Sequence, residues 1–253
     1  GGALTGILGV NRDILGCGMG AKPIANTDVF CFSNPNFPHF SEEQEKLPLK
    51  LKHPRRILEG VHLGVEDGGN KSGIPTVNGA FVFDYSFAGK PLVFCGTVGV
   101  IPRDIKKVKG QDVGDLVVVC GGRIGKDGIH GATFSSLELN EGSPATAVQI
   151  GDPITQKRVM DFLIEARNRN LYTNVTDNGA GGISSSVGEM CQVTNGATID
   201  LQKTLVKYPG LLPYELMISE SQERITFAVN KAKKDEFLEL AKARNVEVCI
   251  LGE

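Results

Sequence analysis

Apolar residues recur along the chain in two rhythms, one helical and one strand-like. Ile7, Val10 and Ile14 fall on one face of a helix over Thr5–Gly18, and Ile57, Leu58, Val61 and Val65 do so over Arg55–Ser72. Val159, Phe162, Leu163 and Ala166 make Lys157–Asn170 amphipathic, and Phe237, Leu240 and Ala241 point inward from a helix over Lys231–Asn245. Ile183–Cys191 forms a further helix. Strands are predicted at Lys22–Phe32, Pro75–Phe83, Pro91–Val98, Leu116–Cys120, Tyr172–Thr176, Ala197–Leu201, Arg224–Val229 and Val246–Leu251, with Pro91–Val98 apolar enough to read as buried. Ser33–His53, rich in Pro, Asn and charge, reads as a surface excursion. The charged, Gly-bearing connection Pro102–Gly114 predicts a domain boundary, giving units over residues 1–105 and 106–253. The second unit lacks a strict β-α-β rhythm. The predicted class is α+β, helices layered on mixed sheets.

Composition narrows the function. The 253 residues are 41% hydrophobic and 22% charged, as in an ordinary globular protein, and the net charge of −2 gives no electrostatic case for nucleic acid or anionic membrane. No apolar run is long enough to span a bilayer and no signal peptide is visible. The six cysteines form no C-x-x-C pair or clustered zinc set, which predicts buried, reduced thiols in a cytoplasmic protein.

The 32 glycines gather in short bursts, and two of these contain an acid: Asp127 within Gly121–Phe134 and Asp177 within Asp177–Gly182. Glycine permits the turns in which successive N–H groups face an anion, and a neighbouring Asp suits a hard cation bridging to phosphate. Neither burst is a P-loop or a dinucleotide fingerprint. Asp177 lies between a predicted strand and helix, so it is either an anion- and metal-facing group or a helix cap. Arg12-Asp13 offers bidentate anion capture and a metal ligand, or else an exposed surface pair. Ser219–Arg224 offers Glu220, Ser221 and Gln222 to a polar substrate, or is a solvated turn. His130 could touch phosphate or be structural. No nucleophile motif is present.

In order along the chain, TGILGVNRDILGCGMGAKPIA (Thr5–Ala25), HPRRILEGV (His53–Val61), GNKSGIPTVNGA (Gly69–Ala80) and PLVFCGTVG (Pro91–Gly99) are followed by GGRIGKDGIHGATFSS (Gly121–Ser136), QIGDP (Gln149–Pro153), DNGAGG (Asp177–Gly182) and ISESQER (Ile218–Arg224). This series resembles phosphoribosylformylglycinamidine synthase, the formylglycinamide ribonucleotide amidotransferase of purine synthesis. The wider superfamily holds aminoimidazole ribonucleotide synthetase, selenophosphate synthetase and hydrogenase maturation ATPases. The resemblance implies a synthetase-like fold, with a partial barrel-forming N-terminal domain and a C-terminal α/β domain. It implies ATP and Mg2+, with phosphorylation of the substrate amide oxygen followed by displacement of phosphate by ammonia. It places Arg12, Gln149, Glu220, Ser221 and Gln222 on the substrate, formylglycinamide ribonucleotide, and Asp13 and Asp177 on magnesium.

The chain departs from the family pattern at Leu8, which replaces a glycine of the opening helix. The family also has an upstream segment with a magnesium-binding Glu and the proposed catalytic His, and a second copy of the two-domain unit downstream. The chain therefore reads as an internal fragment with no catalytic residue of its own, inactive alone. It would be partnered by the rest of the parent synthetase and by a glutaminase subunit supplying ammonia, and would self-associate through an unpaired sheet edge. A non-catalytic binding or scaffold relative, or another ATPase of the superfamily, are the alternatives.

Overall fold

The computed structural model describes residues 1–37, 51–105, 110–131 and 149–253. Most of the predicted excursion over Ser33–His53, and the end of the glycine-rich Gly121–Phe134 stretch, lie outside them. Helix α1 (Gly2–Leu15) leads into β1 (Lys22–Phe32), α2 (Pro54–Ser72), β2 (Thr76–Phe83) and β3 (Leu92–Val100). The three strands form an open sheet ordered β2-β1-β3, parallel between β1 and β2 and antiparallel between β1 and β3. Helices α1 and α2 cover one face of it, around buried Ile7, Leu8 and Val65.

Polar groups fix the rotation of α1 on that face. Asn26 Nδ2 of β1 donates to Asn11 Oδ1 of α1 at 2.8 Å and to Thr97 Oγ1 at 2.7 Å, and the Thr97 hydroxyl reaches Asn11 Oδ1 at 2.8 Å. Buried amides need hydrogen-bond partners, and here the helix and the sheet supply them to each other. With Asn11 turned to the sheet, the next residue, Arg12, is directed along the helix end toward the second half of the chain.

That half begins with β4 (Leu116–Gly121) and continues through α3 (Pro153–Asn168), β5 (Asn174–Asp177), α4 (Gly182–Met190), α5 (Pro213–Ile218), β6 (Arg224–Val229), α6 (Lys234–Ala243) and β7 (Val248–Gly252). Its sheet, ordered β5-β6-β4-β7, is antiparallel throughout. Helix α3 starts four residues before its predicted beginning because Asp152 caps it, accepting the N–H of Ile154 at 2.9 Å and of Thr155 at 3.3 Å, with Pro153 at its first position. Phe162, Phe227, Phe237 and Tyr172 meet edge-on in the core, with ring centroids 5.0–5.8 Å apart. Leu15 and Met19, from the end of α1 and just beyond it, belong to the same core.

Several expectations need correction. Strand β3 is not buried: Leu92, Phe94 and Val98 are each more than half exposed, because α1 and α2 lie on the opposite face of the sheet. The predicted strand over Ala197–Leu201 reduces to a single bridge between Ile199 and Gly252, since Asp200 caps a short 3-10 turn at Leu201–Lys203. Helix α5 has no counterpart in the sequence pattern; at six residues it is too short to show a period. Among the cysteines none is in a disulfide, but only Cys31, Cys120 and Cys249 are buried; Cys95 and Cys191 are partly exposed and Cys17 is exposed.

Candidate functional site

Four segments far apart in sequence converge at the seam between the two halves. Arg12, in the last turn of α1, donates from Nε to Asp177 Oδ2 at 3.1 Å and from Nη1 to Gln222 Oε1. The arginine is almost wholly buried while the Asp177 side chain is 24% exposed, so the carboxylate has one side in the protein and one toward solvent. Arg12 Nη2 makes no hydrogen bond among the described residues and lies over Gly179, where an added Cβ would sit 3.4 Å from it. The surface-pair reading of Arg12-Asp13 thus holds for Asp13 alone, which is exposed.

Asp13 lies close enough to Asp177 to feel its charge. Partial desolvation of the Asp13 carboxyl raises its pKa above the ordinary carboxylate range; the negative Asp177 adds to the rise and Arg12 opposes it. Two carboxylates that repel each other across a solvent-facing gap suit a hard cation. Among the described residues no cluster of three or more His, Cys, Asp or Glu is built to hold a metal. A magnesium ion needs no such cluster: it is commonly held by one or two carboxylates and completes its octahedron with water and phosphate oxygens. Asp13 and Asp177 fit that requirement.

Asp177 is not the cap of α4. Gly181 occupies the N-cap position and makes no side-chain hydrogen bond. The chain passes from β5 to α4 through Gly181 (φ +78°) and Gly182 (φ +57°), and a Cβ at Gly182 would stand 2.2 Å from the Ser219 carbonyl. Glycine is therefore required there for both backbone angle and approach. The tight turn brings the Gly181 N–H to Glu220 Oε1 at 3.4 Å.

The Ser219–Arg224 segment is no solvated turn, for all six residues are buried. Glu220 Oε2 accepts from Gln149 Nε2 at 3.3 Å. Gln149 lies against Gly128 of the glycine-rich loop, where a Cβ would come within 2.2 Å of its amide nitrogen. Ser221 is wholly enclosed: its Oγ accepts the Gly125 N–H at 3.0 Å and lies 3.1 Å from Ser219 Oγ. Beneath the turn, Arg224 donates from Nε to the Ser221 carbonyl at 2.8 Å and from Nη2 to that of Ser219. With the carbonyls of 219 and 221 drawn inward, the side chains of Glu220 and Gln222 are left on the site. Asp127 is paired with Lys207 Nζ at 2.8 Å. His130 is exposed at φ +58°.

The structure therefore brings together Arg12, Asp13, Gln149, Asp177, Glu220 and Gln222, and sets Ser221 one layer behind. Sequence reasoning missed Glu223, Arg224 and Lys207. The +61° φ of Glu223 has no signal in composition or period, and Arg224 could be read from sequence only as the start of a strand.

The model for the AIR synthase related protein, N-terminal domain, matches residues 1–101, and that for its C-terminal domain matches residues 112–253. The chain belongs to the AIR synthase related protein family. Within this family it is 37% identical over 257 residues to phosphoribosylformylglycinamidine synthase subunit PurL of Picrophilus torridus, an alignment that takes in 100% of this chain and 33% of that protein. The structure of T. maritima PurL complexed with FGAR superposes with a TM-score of 0.80 at 30% identity, over 99% of this chain and 38% of that one. T. maritima PurL complexed with ATP gives 0.73 at 28% identity, over 99% and 36%. This AIR synthase related chain thus spans about a third of the length of the curated relatives it matches.

Proposed function

We propose that this chain carries the substrate- and magnesium-binding part of a phosphoribosylformylglycinamidine synthase, an ATP-dependent ligase that converts formylglycinamide ribonucleotide to its amidine. The observation that carries this reading is the junction of Arg12, Asp177 and Gln222, with Asp13 alongside and Gln149 on Glu220. These are the positions on which the family resemblance places substrate and metal, and the fold draws them from four segments to one seam.

The chemistry follows from the groups present. Magnesium at Asp13 and Asp177 would neutralise ATP phosphate charge beside the substrate. The free Arg12 Nη2, its position fixed by the other two bonds of the guanidinium, donates to an anionic or carbonyl oxygen of the substrate. Glu220, Gln149 and Gln222 present acceptors and donors that orient the amide and ribose. Ser221 acts from behind, holding the Gly125 loop. In the reaction, phosphoryl passes from ATP to the amide oxygen, and ammonia then displaces phosphate. The ammonia comes from a glutaminase partner, and the remainder of the synthetase completes the ATP site. The apolar face of the β2-β1-β3 sheet, which no helix covers among the described residues, is where the chain self-associates or meets a matching sheet.

The test is turnover by the intact protein. With ATP, magnesium and ammonia, it should consume formylglycinamide ribonucleotide and release the amidine, ADP and phosphate in equal amounts. ATP consumption driven by a different acyl substrate, with none driven by this one, would favour another ATPase of the superfamily.

A further inference from the structure

Glu223 is used by nothing described so far, yet it is held under three constraints at once. Its backbone is at φ +61°, a region that a residue with a long side chain seldom adopts and glycine fills at no cost. It is 93% buried by area, being 7% exposed. One carboxyl oxygen, Oε1, has no hydrogen-bond partner, and it faces Gly151 so closely that a Cβ there would be 2.9 Å away. The carboxyl is wedged between the two segments: it lies near the backbone N–H of Asp152, which favours its charged form, and Oε2 stands 3.7 Å from where a Cβ of Gly122 would be. Asp152 begins α3 and lies three residues from Gln149, while Glu223 directly follows Gln222.

We infer that Glu223 is a positioning residue whose carboxyl fastens the Gln149–Asp152 segment to the Ser219–Gln222 turn, so that Gln149, Glu220 and Gln222 face one ligand in fixed register. The inference rests on the proposed substrate reading of those three side chains. The main chain works in the same direction: the Glu223 carbonyl accepts the Gly122 N–H at 3.0 Å, anchoring the turn to the end of β4.

The link has a protonation state. Burial pushes the Glu223 carboxyl up to about 8; the Asp152 N–H opposes the rise, as do Arg12 of α1 and Lys207, while the Asp152 carboxylate adds to it. Arg224 of β6 is the remaining charge facing it. The neutral form therefore dominates at pH 7, which spares the enclosed Oε1 a charge that no partner offsets. Between the ordinary Glu pKa and about 8, the folded state holds a proton that the unfolded state has lost, so this group lowers stability as pH rises through that window. A side chain kept for stability alone would not be placed this way. Above about 8 a second negative charge appears at the joint, facing the Asp152 carboxylate.

The experiment is calorimetric titration of formylglycinamide ribonucleotide, with magnesium, into the intact protein between pH 7 and 9.5, a range in which the ligand phosphate is already mostly dianionic. Wild type should weaken at least fivefold toward the alkaline end. Glu223→Gln, neutral at every pH, should bind within threefold of wild type at pH 7 and lack the alkaline loss. Glu223→Ala should bind at least tenfold more weakly at pH 7 with ATP affinity unchanged; should it fail to fold, the Gln variant decides alone. An identical alkaline loss in Glu223→Gln, or full affinity in a folded Glu223→Ala, overturns the inference. Absence of binding by wild type at pH 7 instead overturns the substrate reading on which it rests.

Discussion

At the residue scale, the site turns on how one guanidinium is shared. Arg12 is planar and five-donor, so it can hold Asp177 and Gln222 in fixed directions and still present Nη2. A lysine at that position keeps the charge and loses the fork. Arg12→Lys should therefore weaken formylglycinamide ribonucleotide binding by about 10–100-fold, the equivalent of about 1.5–3 kcal/mol for hydrogen bonds to a charged group. Equilibrium titration against wild type reads this directly, and unchanged affinity would remove Arg12 from the site. The residues themselves were legible in the sequence because each sits beside a break in the periodic pattern, Arg12-Asp13 before the glycines at 16 and 18, Asp177 before three more. Their orientations were not. Arg12 and Asp13 could be separated into inward and outward only once Asn11 was seen bonded to Asn26. Ser221, grouped with its neighbours by sequence, is distinguished from them by alternation along the turn, which hydrogen bonds from Arg224 impose.

At the scale of elements, strong periods gave reliable outlines. Lys22–Phe32 and Arg224–Val229 appear with the predicted bounds, and Val159, Phe162, Leu163 and Ala166 all face the core. Failure came where an apolar run does not mean burial. In β1, Asn26 and Asp28 point to the helices, while Ala25, Val29 and Cys31 line the other face in register with Val98, Phe94 and Leu92 of β3. That face is apolar and carries no helix among the described residues, so the apolar character of Pro91–Val98 is no sign of burial there. Sedimentation of the 27.0 kDa chain should show species larger than a monomer, and Phe94→Glu, placing a charge on the centre of the face, should shift them to monomer. A wild-type chain that sediments as a single monomer would contradict the proposed association.

At the scale of the whole molecule, the site exists because two differently built halves share a boundary. The Tyr172 hydroxyl donates to the Met19 carbonyl at 2.7 Å, Gln156 Nε2 to the Leu8 carbonyl at 2.8 Å, and Arg167 to the carbonyl of Gly20. These bonds, with Leu15 and Met19 in the second core, pin the C-terminal end of α1 against β5 and α3. Arg12 and Asp13 come from one side of the seam, Asp177, Gln149 and the 219–224 turn from the other. A ligand between them would draw on both, and a cation between Asp13 and Asp177 would relieve the repulsion between those two carboxylates. Metal and substrate binding are then expected to depend on each other. The most direct test is calorimetric titration of formylglycinamide ribonucleotide into the intact protein with and without magnesium, alongside Asp177→Asn. Binding should require magnesium and weaken at least tenfold in the variant. Equal binding without the metal, or undiminished binding by Asp177→Asn, would contradict a shared substrate and metal site at this seam.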